Sequence, residues 1–169
     1  MILIAIGSNL PSALGGPRAT CEAALDRLQA LGVKVVAVSP WYETAPVPAS
    51  DQPWFVNGVA VVETTLPPED LMALLHQVEG EFGRSRTVAN AARVLDLDLL
   101  AYGRVIRSGP LDLPHPRLHE RSFVLYPLRD VAPDWEHPLS GLRPDAMVAG
   151  LPPEQGIRPL TLEIPAKPA

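Results

Sequence analysis

Cysteine, lysine and long apolar runs are scarce in this chain of 169 residues. The lone cysteine, Cys21, excludes the intramolecular disulfide framework that holds many small secreted domains together. No apolar stretch approaches the roughly 20 residues that a membrane-spanning helix needs. Met1 leads directly into a strand-like segment rather than into the basic and apolar regions of a secretory signal. We therefore expect a cytoplasmic protein with no membrane partner.

The basic residues are almost all arginine. Of the 14 basic residues only Lys34 and Lys167 are lysines, which leaves twelve arginines, and the formal net charge is −5. A negative chain without a stripe of lysines is a poor match for a nucleic-acid-coating protein, so we expect no nucleic-acid partner. Neither lysine lies in a glycine-rich loop of the P-loop type. If the protein binds phosphate, arginine and metal must do so.

The length suits a single domain spanning residues 1–169, with a proline-rich tail from about residue 152. Hydrophobic periodicity and turn residues indicate strands alternating with helices in the order β-α-β-β-α-β, followed by further helices. That order is typical of a ferredoxin-like α+β sandwich. The predicted strands cover residues 2–6, 33–42, 55–64 and 94–100, with a hairpin at Gly103 and a candidate edge strand at 160–162; the predicted helices cover 17–31, 67–82, 119–131 and 143–148.

Two aspartates stand two residues apart in an otherwise aliphatic stretch. On a strand, Asp96 and Asp98 would share one face roughly 6.6 Å apart, while Leu95, Leu97 and Leu99 would point into a core. Two like charges repel, and an unpaired buried carboxylate is costly, so the pair needs cations or strong donors. A divalent metal ion satisfies that need most simply.

Cations cluster close to the aspartate pair in the sequence. One short segment before the strand supplies three arginines, more than plain ion pairing with two acids requires. A polyphosphate that bridges metal ions and guanidinium groups would satisfy both sets, as in phosphoryl-transfer sites. A purely structural salt-bridge cluster is the alternative. With two donors further downstream, the candidate phosphate-binding residues are Arg84, Arg86, Arg93, His115 and Arg121.

A carboxamide lies in the middle of the third predicted strand. A buried Asn57 must find hydrogen-bond partners or cost roughly 1–3 kcal/mol. A flat heterocycle with amide-like edges would pair with Asn57 and stack on Phe55 or Phe123. Aromatic residues at such positions are also common in cores, so this pattern alone leaves both interpretations open.

Seven short motifs occur in a fixed order along residues 2–135. They are IGSNL at 6–10, SPWYETAP at 39–46, DQPWFVN at 51–57, GRSR at 83–86, RVLDLDLL at 93–100, LPHP at 113–116 and RSFVLYPL at 121–128. Together they resemble the ordered motifs of the 6-hydroxymethyl-7,8-dihydropterin pyrophosphokinase family of folate biosynthesis. Seven motifs in order are far more specific than any one of them.

The resemblance implies transfer of the β,γ-pyrophosphate of ATP to the hydroxymethyl oxygen of the pterin, with release of AMP. It implies that Asp96 and Asp98 hold two Mg²⁺ ions and act in catalysis together with Arg84 and Arg93. The implied ATP-binding residues are Glu79, Arg84, Arg86, Arg93, His115 and Arg121. The implied pterin-binding residues are Thr44, Val47, Phe55, Asn57 and Phe123.

Many members of this family carry a tryptophan just before the aspartate strand, and it covers the bound ligands. The corresponding stretch here reads Val88-Ala89-Asn90-Ala91-Ala92. We therefore expect weaker closure over the ligands in this chain.

Two other classes of function remain open at this point. A two-metal phosphatase or nuclease also uses paired acids, but it would need more metal ligands than the nearby Glu79, Glu81 and Asp112 supply. A non-enzymatic ligand-sensing domain on a ferredoxin-like fold would not need the aspartates to bind metal. We expect a monomer whose partners are the small molecules ATP and 6-hydroxymethyl-7,8-dihydropterin.

Overall fold

The computed structural model describes residues 1–10, 15–45, 51, 53–83, 94–152 and 156–160. A 3₁₀ turn, Leu118–Glu120, precedes the third helix. No helix in these ranges is both long enough and apolar enough to cross a membrane. The elements are β1 (Ile2–Ser8), α1 (Pro17–Ala30), β2 (Lys34–Val38), β3 (Tyr42–Thr44), β4 (Phe55–Glu63), α2 (Pro68–Glu81), β5 (Asp96–Tyr102), α3 (Ser122–Val131), α4 (Pro144–Ala149) and β6 (Ile157–Pro159).

The strands form one six-stranded sheet in the order β5-β1-β4-β3-β6, and β2 also pairs with β4. Each strand pair is antiparallel. Because β2 and β3 lie one after the other along the same edge of β4, they together take the place of one strand in the predicted β-α-β-β-α-β order. The prediction of a ferredoxin-like α+β sandwich with further helices downstream is confirmed.

The sheet separates two apolar cores. On the face covered by α1 and α2, called here the α1/α2 face, Ile4, Ile6 and Leu97 are buried against both helices. On the opposite face, called the α3 face, Leu3 and Val59 are buried against α3. The alternation of side chains along β1, β4 and β5 therefore supplies both cores from the same three strands.

Both long helices begin at proline, as the sequence predicts. Pro17 and Pro68 occupy the first helical position, where a missing N–H costs nothing. Gly32 and Gly83 follow the two helices with φ values of +96° and +90°, a conformation that residues with a side chain rarely adopt.

The prediction of one continuous strand at 33–42 is wrong, because the chain forms two separate strands there, β2 and β3. The Ser39 N–H donates to the Val59 carbonyl at 2.9 Å, but the Val59 N–H donates back to Ser39 Oγ at 3.0 Å instead of to a backbone oxygen. Pro40 has no N–H to continue the ladder. The Trp41 ring then lies over Gly58, where a Cβ would come within 2.6 Å of it. Pairing with β4 resumes at Tyr42.

Besides shifts of one or two residues at the ends of β4, β5 and the helices, four further features differ from the prediction. β1 continues through Gly7 to Ser8 instead of ending at residue 6. After the turn at Gly103, residues 105–106 do not return as a strand, and only an isolated bridge joins Arg107 to Leu113. The predicted helix at 119–131 divides at Arg121, whose extended backbone separates the 3₁₀ turn from α3.

The fourth difference is in the tail. The added edge strand is β6, just before the predicted 160–162, and the Leu160 N–H continues its pairing by donating to the Trp41 carbonyl at 2.9 Å. Residues 161–169 lie outside the described part of the chain.

Candidate active site

Polar residues replace the apolar core at one end of the α3 face. Gly7 on β1 pairs with Asn57 of β4 on one side and with Asp96 of β5 on the other. Two residues earlier on β1, Ala5 pairs with Asp98. Since neighbouring strands lie about 4.8 Å apart, Asn57 and Asp96 stand about 10 Å apart across the glycine. The residues at the polar end of the α3 face are Gly7, Thr44, Asn57, Asp96 and Asp98.

The two faces of β5 are as the sequence predicts. Leu97 and Leu99 are fully buried in the α1/α2 core, whereas Asp96 and Asp98 are only partly buried. Leu100, two residues after Asp98 on the same face, is buried in the opposite core, and a β-bulge in the β1–β5 pairing keeps the next residue, Ala101, in that core as well. The bulge thus marks where the acidic part of this face ends and its apolar part begins.

Gly7 creates the gap between the carboxamide and the carboxylates. A Cβ at this position would lie 2.4 Å from Asn57 Oδ1, which is closer than real contacts allow. The same distance shows that the carboxamide oxygen points toward the glycine. Sequence reasoning ended the first strand at residue 6 and missed Gly7 as part of the site. The available signal was a glycine next to a strand pattern, which often marks a close approach of a ligand or another chain.

Asn57 is held in place by its neighbour on β3. Its Nδ2 donates to Thr44 Oγ1 at 2.6 Å, and both residues are buried. Thr44 in turn pairs with Phe55. Because the amide nitrogen is used on the β3 side, Asn57 presents its oxygen as an acceptor to the gap. The two aromatic candidates, Phe55 on β4 and Phe123 on α3, are partly buried.

Arg121 lies just before α3 and is close to the acids. Burial lowers the pKa of its guanidinium, and the charges of Asp98 and Asp96 oppose that shift. Its guanidinium carbon also lies 5.3 Å from the centre of the Phe123 ring, within cation–π range. One side chain therefore connects the aspartates to an aromatic candidate of the pterin pocket.

His115 is a neutral donor at physiological pH. Burial lowers its pKa to about 4, reinforced by Arg121 and Arg117 and opposed by Asp96. The Arg117 N–H donates to His115 Nδ1 at 3.2 Å, so the neutral ring carries its proton on Nε2. The backbone N–H of His115 donates to the Leu100 carbonyl at 2.8 Å, which fixes the residue beside β5.

Glu79 supports the strand between the two aspartates. It lies on α2 with 1% of its surface exposed, and its Oε2 accepts a hydrogen bond from the Leu97 N–H at 2.7 Å. That N–H belongs to the residue between Asp96 and Asp98. Glu79 thus fixes the edge of β5. The contact of Glu79 with nucleotide stays a prediction.

A second contact missed by sequence reasoning ties β3 to α3. The buried Tyr42, the pairing partner of Asn57, donates its hydroxyl proton to Asp130 Oδ2. Burial raises the pKa of Tyr42 to about 12, and the hydrogen bond and charge of Asp130 add to the shift. The Tyr42 and Tyr126 rings meet edge to face at 6.0 Å. These contacts set the separation between the Asn57 strand and the helix that carries Phe123.

Several candidates fall in parts of the chain that the structure leaves undescribed. They are Arg84, Arg86, Arg93, Val47 and the segment 88–92.

The donor set fits magnesium that is shared with phosphate. Mg²⁺ in nucleotide sites usually takes one or two carboxylates, phosphate oxygens and water. Asp96 and Asp98 supply two carboxylates on one face of β5. Across the described ranges, no group of three or more His, Cys, Asp or Glu side chains could hold a metal ion by itself. The arrangement therefore suits cations that complete their coordination with a bound polyphosphate.

Comparison with known families and proteins gives a consistent result. A family model described as 7,8-dihydro-6-hydroxymethylpterin-pyrophosphokinase matches residues 3–133. The chain is 43% identical over 150 residues to the 2-amino-4-hydroxy-6-hydroxymethyldihydropteridine pyrophosphokinase of Pseudomonas aeruginosa, covering 88% of this chain and 90% of that protein. It is 42% identical over 142 residues to the folic acid synthesis protein fol1 of Pneumocystis carinii, covering 83% of this chain but only 19% of that longer protein.

The fold is also that of a solved structure. The wild-type HPPK-DHPS of Plasmodium falciparum with pteroate matches 88% of this chain and 41% of that chain, with a TM-score of 0.62 and 13% sequence identity. At that identity the likeness shows the fold alone.

Proposed function

The chain belongs to the 7,8-dihydro-6-hydroxymethylpterin-pyrophosphokinase family, and we propose that the polar end of the α3 face is its active site. It is an ATP-dependent pyrophosphokinase of folate synthesis, which transfers pyrophosphate from ATP to 6-hydroxymethyl-7,8-dihydropterin and forms AMP. The observation that carries the proposed location is the register of β1, in which Gly7 pairs with both Asn57 and Asp96. The register supports a pterin subsite and a phosphate subsite on adjacent strands, about 10 Å apart.

In the transfer, the hydroxymethyl oxygen of the pterin forms a bond to the β-phosphorus of ATP. The bond from that phosphorus to the oxygen bridging to the α-phosphorus breaks, and AMP leaves with this oxygen. The hydroxyl proton is released. Such phosphoryl transfers depend on positioning and on charge neutralisation more than on a protein nucleophile.

Asp96 and Asp98 would hold two Mg²⁺ ions, which neutralise charge on the phosphate oxygens when bound. Arg121 and neutral His115, through Nε2–H, would donate to the same phosphates, which their closeness to Asp96 supports. Glu79 keeps the backbone between the aspartates in place from the other face of the sheet. By their position in the family motifs, Arg84, Arg86 and Arg93 complete the triphosphate contacts, with Arg84 and Arg93 acting on the transferred group.

The pterin would lie against β4, between the rings of Phe55 and Phe123. Asn57 Oδ1, which points into the gap above Gly7, accepts a hydrogen bond from an N–H of the pterin edge. Thr44 holds the carboxamide in the orientation that makes this contact. Val47 is assigned to the same pocket by its position in the family motifs. In this placement the hydroxymethyl group is directed toward Asp96.

We further propose that residues 1–169 act as one catalytic domain and as a monomer, on ATP and the pterin alone, without nucleic-acid or membrane partners and in the cytoplasm. Light scattering coupled to gel filtration tests the oligomeric state. The mass of one chain supports the proposal, and the mass of two chains contradicts it.

The reaction is tested by following ATP, AMP, ADP and free phosphate with the purified protein, Mg²⁺ and 6-hydroxymethyl-7,8-dihydropterin. We expect one AMP for each pterin pyrophosphate formed, and no turnover when EDTA removes Mg²⁺. Phosphate release that does not depend on the pterin would support a two-metal hydrolase instead. Nucleotide binding without any turnover would support a ligand-sensing domain.

A further inference from the structure

The C-terminal strand β6 lies beside the proposed pterin pocket. It pairs with β3, with Ile157 opposite Thr44 and Pro159 opposite Tyr42. β3 is thus held between β6 and β4. The match to the family model ends at residue 133, so this strand lies beyond the part of the chain that the model covers.

Gly156, just before β6, fits between the two ends of the connection that joins β3 to β4. Its carbonyl accepts a hydrogen bond from the Ala45 N–H at 2.9 Å. A Cβ at Gly156 would lie 3.0 Å from Ala45 Cβ and 3.5 Å from Trp54 Cη2. Ala45 directly follows β3 and Trp54 directly precedes β4. The C-terminal segment therefore packs on both ends of the connection at once.

Arg158 on β6 contacts a residue of β3 and the residue just before β4 through its side chain. Its Nε donates to Glu43 Oε1 at 2.9 Å, and its guanidinium carbon lies 4.3 Å from the centre of the Trp54 ring. A planar guanidinium can pair with a carboxylate and stack on an aromatic ring at the same time. These three residues, Glu43, Trp54 and Arg158, are called here the Arg158 clasp.

The clasp acts one residue away from two walls of the pocket. Glu43 precedes Thr44, which holds the Asn57 carboxamide. Trp54 precedes Phe55, the pairing partner of Thr44. A change in the separation of Glu43 and Trp54 would therefore move Thr44 and Phe55 relative to each other.

We propose that Arg158 is a positioning residue for the pterin, acting by holding together Glu43 of β3 and Trp54, just before β4. This inference rests on the proposed function of the pocket. It assigns to the C-terminal strand a part in substrate affinity and not only in folding. The phosphate-binding residues on β5 and before α3 lie outside the clasp, so its loss should affect one substrate and not the other.

The test compares steady-state kinetics of the wild type with those of Arg158→Gln, which removes both the charge and the stacking. We expect the KM for 6-hydroxymethyl-7,8-dihydropterin to rise about five-fold, with the KM for ATP unchanged. Arg158→Lys keeps a cation near Glu43 and Trp54 but loses the planar guanidinium, so it should recover only part of the loss. Arg143→Gln is the matched control, because Arg143 also lies beyond residue 133 and pairs with Asp134 and Glu136 at the surface.

A selective rise in the KM for the pterin with partial rescue by Arg158→Lys supports the inference. An unchanged KM for the pterin in an active Arg158→Gln enzyme overturns it, as does an equal rise in both KM values or an equal effect of Arg143→Gln. If the wild type forms no AMP from ATP and the pterin, the proposed function fails and this inference fails with it. The activity of the wild type therefore distinguishes the two failures.

Discussion

On the α1/α2 face, β5 contributes Leu97 and Leu99 to a closed apolar core, whereas on the α3 face the same strand contributes Asp96 and Asp98. β1 shows the same contrast, since Ile6 is buried under the helices and the neighbouring Gly7 leaves a gap. One set of strands thus supports stability on one face and the proposed active site on the other. Substitutions one residue apart should therefore have different consequences.

The strongest test of this contrast is removal of one carboxylate. Asp96→Asn or Asp98→Asn keeps the shape of the side chain but removes the charge that would hold Mg²⁺. We expect AMP formation to fall by about 10³-fold or more, with an unchanged free energy of unfolding. Asp134→Asn is the control, since Asp134 is 91% exposed and pairs with Arg143 at the surface. Near-full AMP production by either active-site variant would show that the metal assignment is wrong.

The opposite result is expected from the intervening residue. Leu97→Ala leaves a cavity in the α1/α2 core and should lower the free energy of unfolding by about 2–5 kcal/mol. Urea denaturation measures the loss, and the kcat per folded molecule should stay close to that of the wild type. Val36→Ala, at a position 48% exposed on β2, should change stability by less than about 0.5 kcal/mol. A stable Leu97→Ala protein with greatly reduced kcat would break the proposed division between the faces.

Gly7→Ala tests the gap itself. The added Cβ would meet Asn57 Oδ1 at 2.4 Å and displace the end of that side chain. We expect the KM for the pterin to rise roughly ten-fold, equivalent to about 1.4 kcal/mol, while the protein stays folded. In Gly80→Ala, on α2, the new Cβ meets nothing within 4 Å and should leave the KM unchanged. Equal KM values for Gly7→Ala and the wild type would remove Gly7 from the site.

The last prediction is a pH dependence at the polar end. His115 has a pKa of about 4 in the folded protein, below its usual value near 6.5, because it is buried. Between these two pKa values the unfolded chain therefore binds more protons than the folded protein. The free energy of unfolding should be highest above about pH 6.5 and fall as the pH drops toward 4. Urea midpoints between pH 4.5 and 7.5 should show a shallower decline for His115→Gln than for the wild type. Parallel curves would contradict the burial of a neutral imidazole.

The sequence predicted features that depend on local periodicity. Alternation alone placed Asp96 and Asp98 opposite the leucines, and proline and glycine marked the ends of α1 and α2. The interruption near Ser39 was not predictable in this way, because the side chain that replaces a backbone acceptor is recognised only after β2 is paired with β4.

Gly7 and Tyr42 were missed as site residues for a related reason. Their roles come from what lies across the sheet or on α3, which depends on register between distant segments. The contacts of Arg158 likewise join residues more than a hundred positions apart. Such contacts carry no periodic signal in the sequence.

The binding of nucleotide to the aspartate pair tests the central claim most directly. Calorimetric titration of a non-hydrolysable ATP analogue, with and without Mg²⁺, should be compared for the wild type and Asp96→Asn, followed by addition of the pterin. We predict that Mg²⁺ strengthens nucleotide binding by the wild type but has little effect on Asp96→Asn, and that the pterin then binds to the wild-type complex. An equal Mg²⁺ dependence in both proteins, or no pterin binding by the wild-type complex, would contradict the proposed active site.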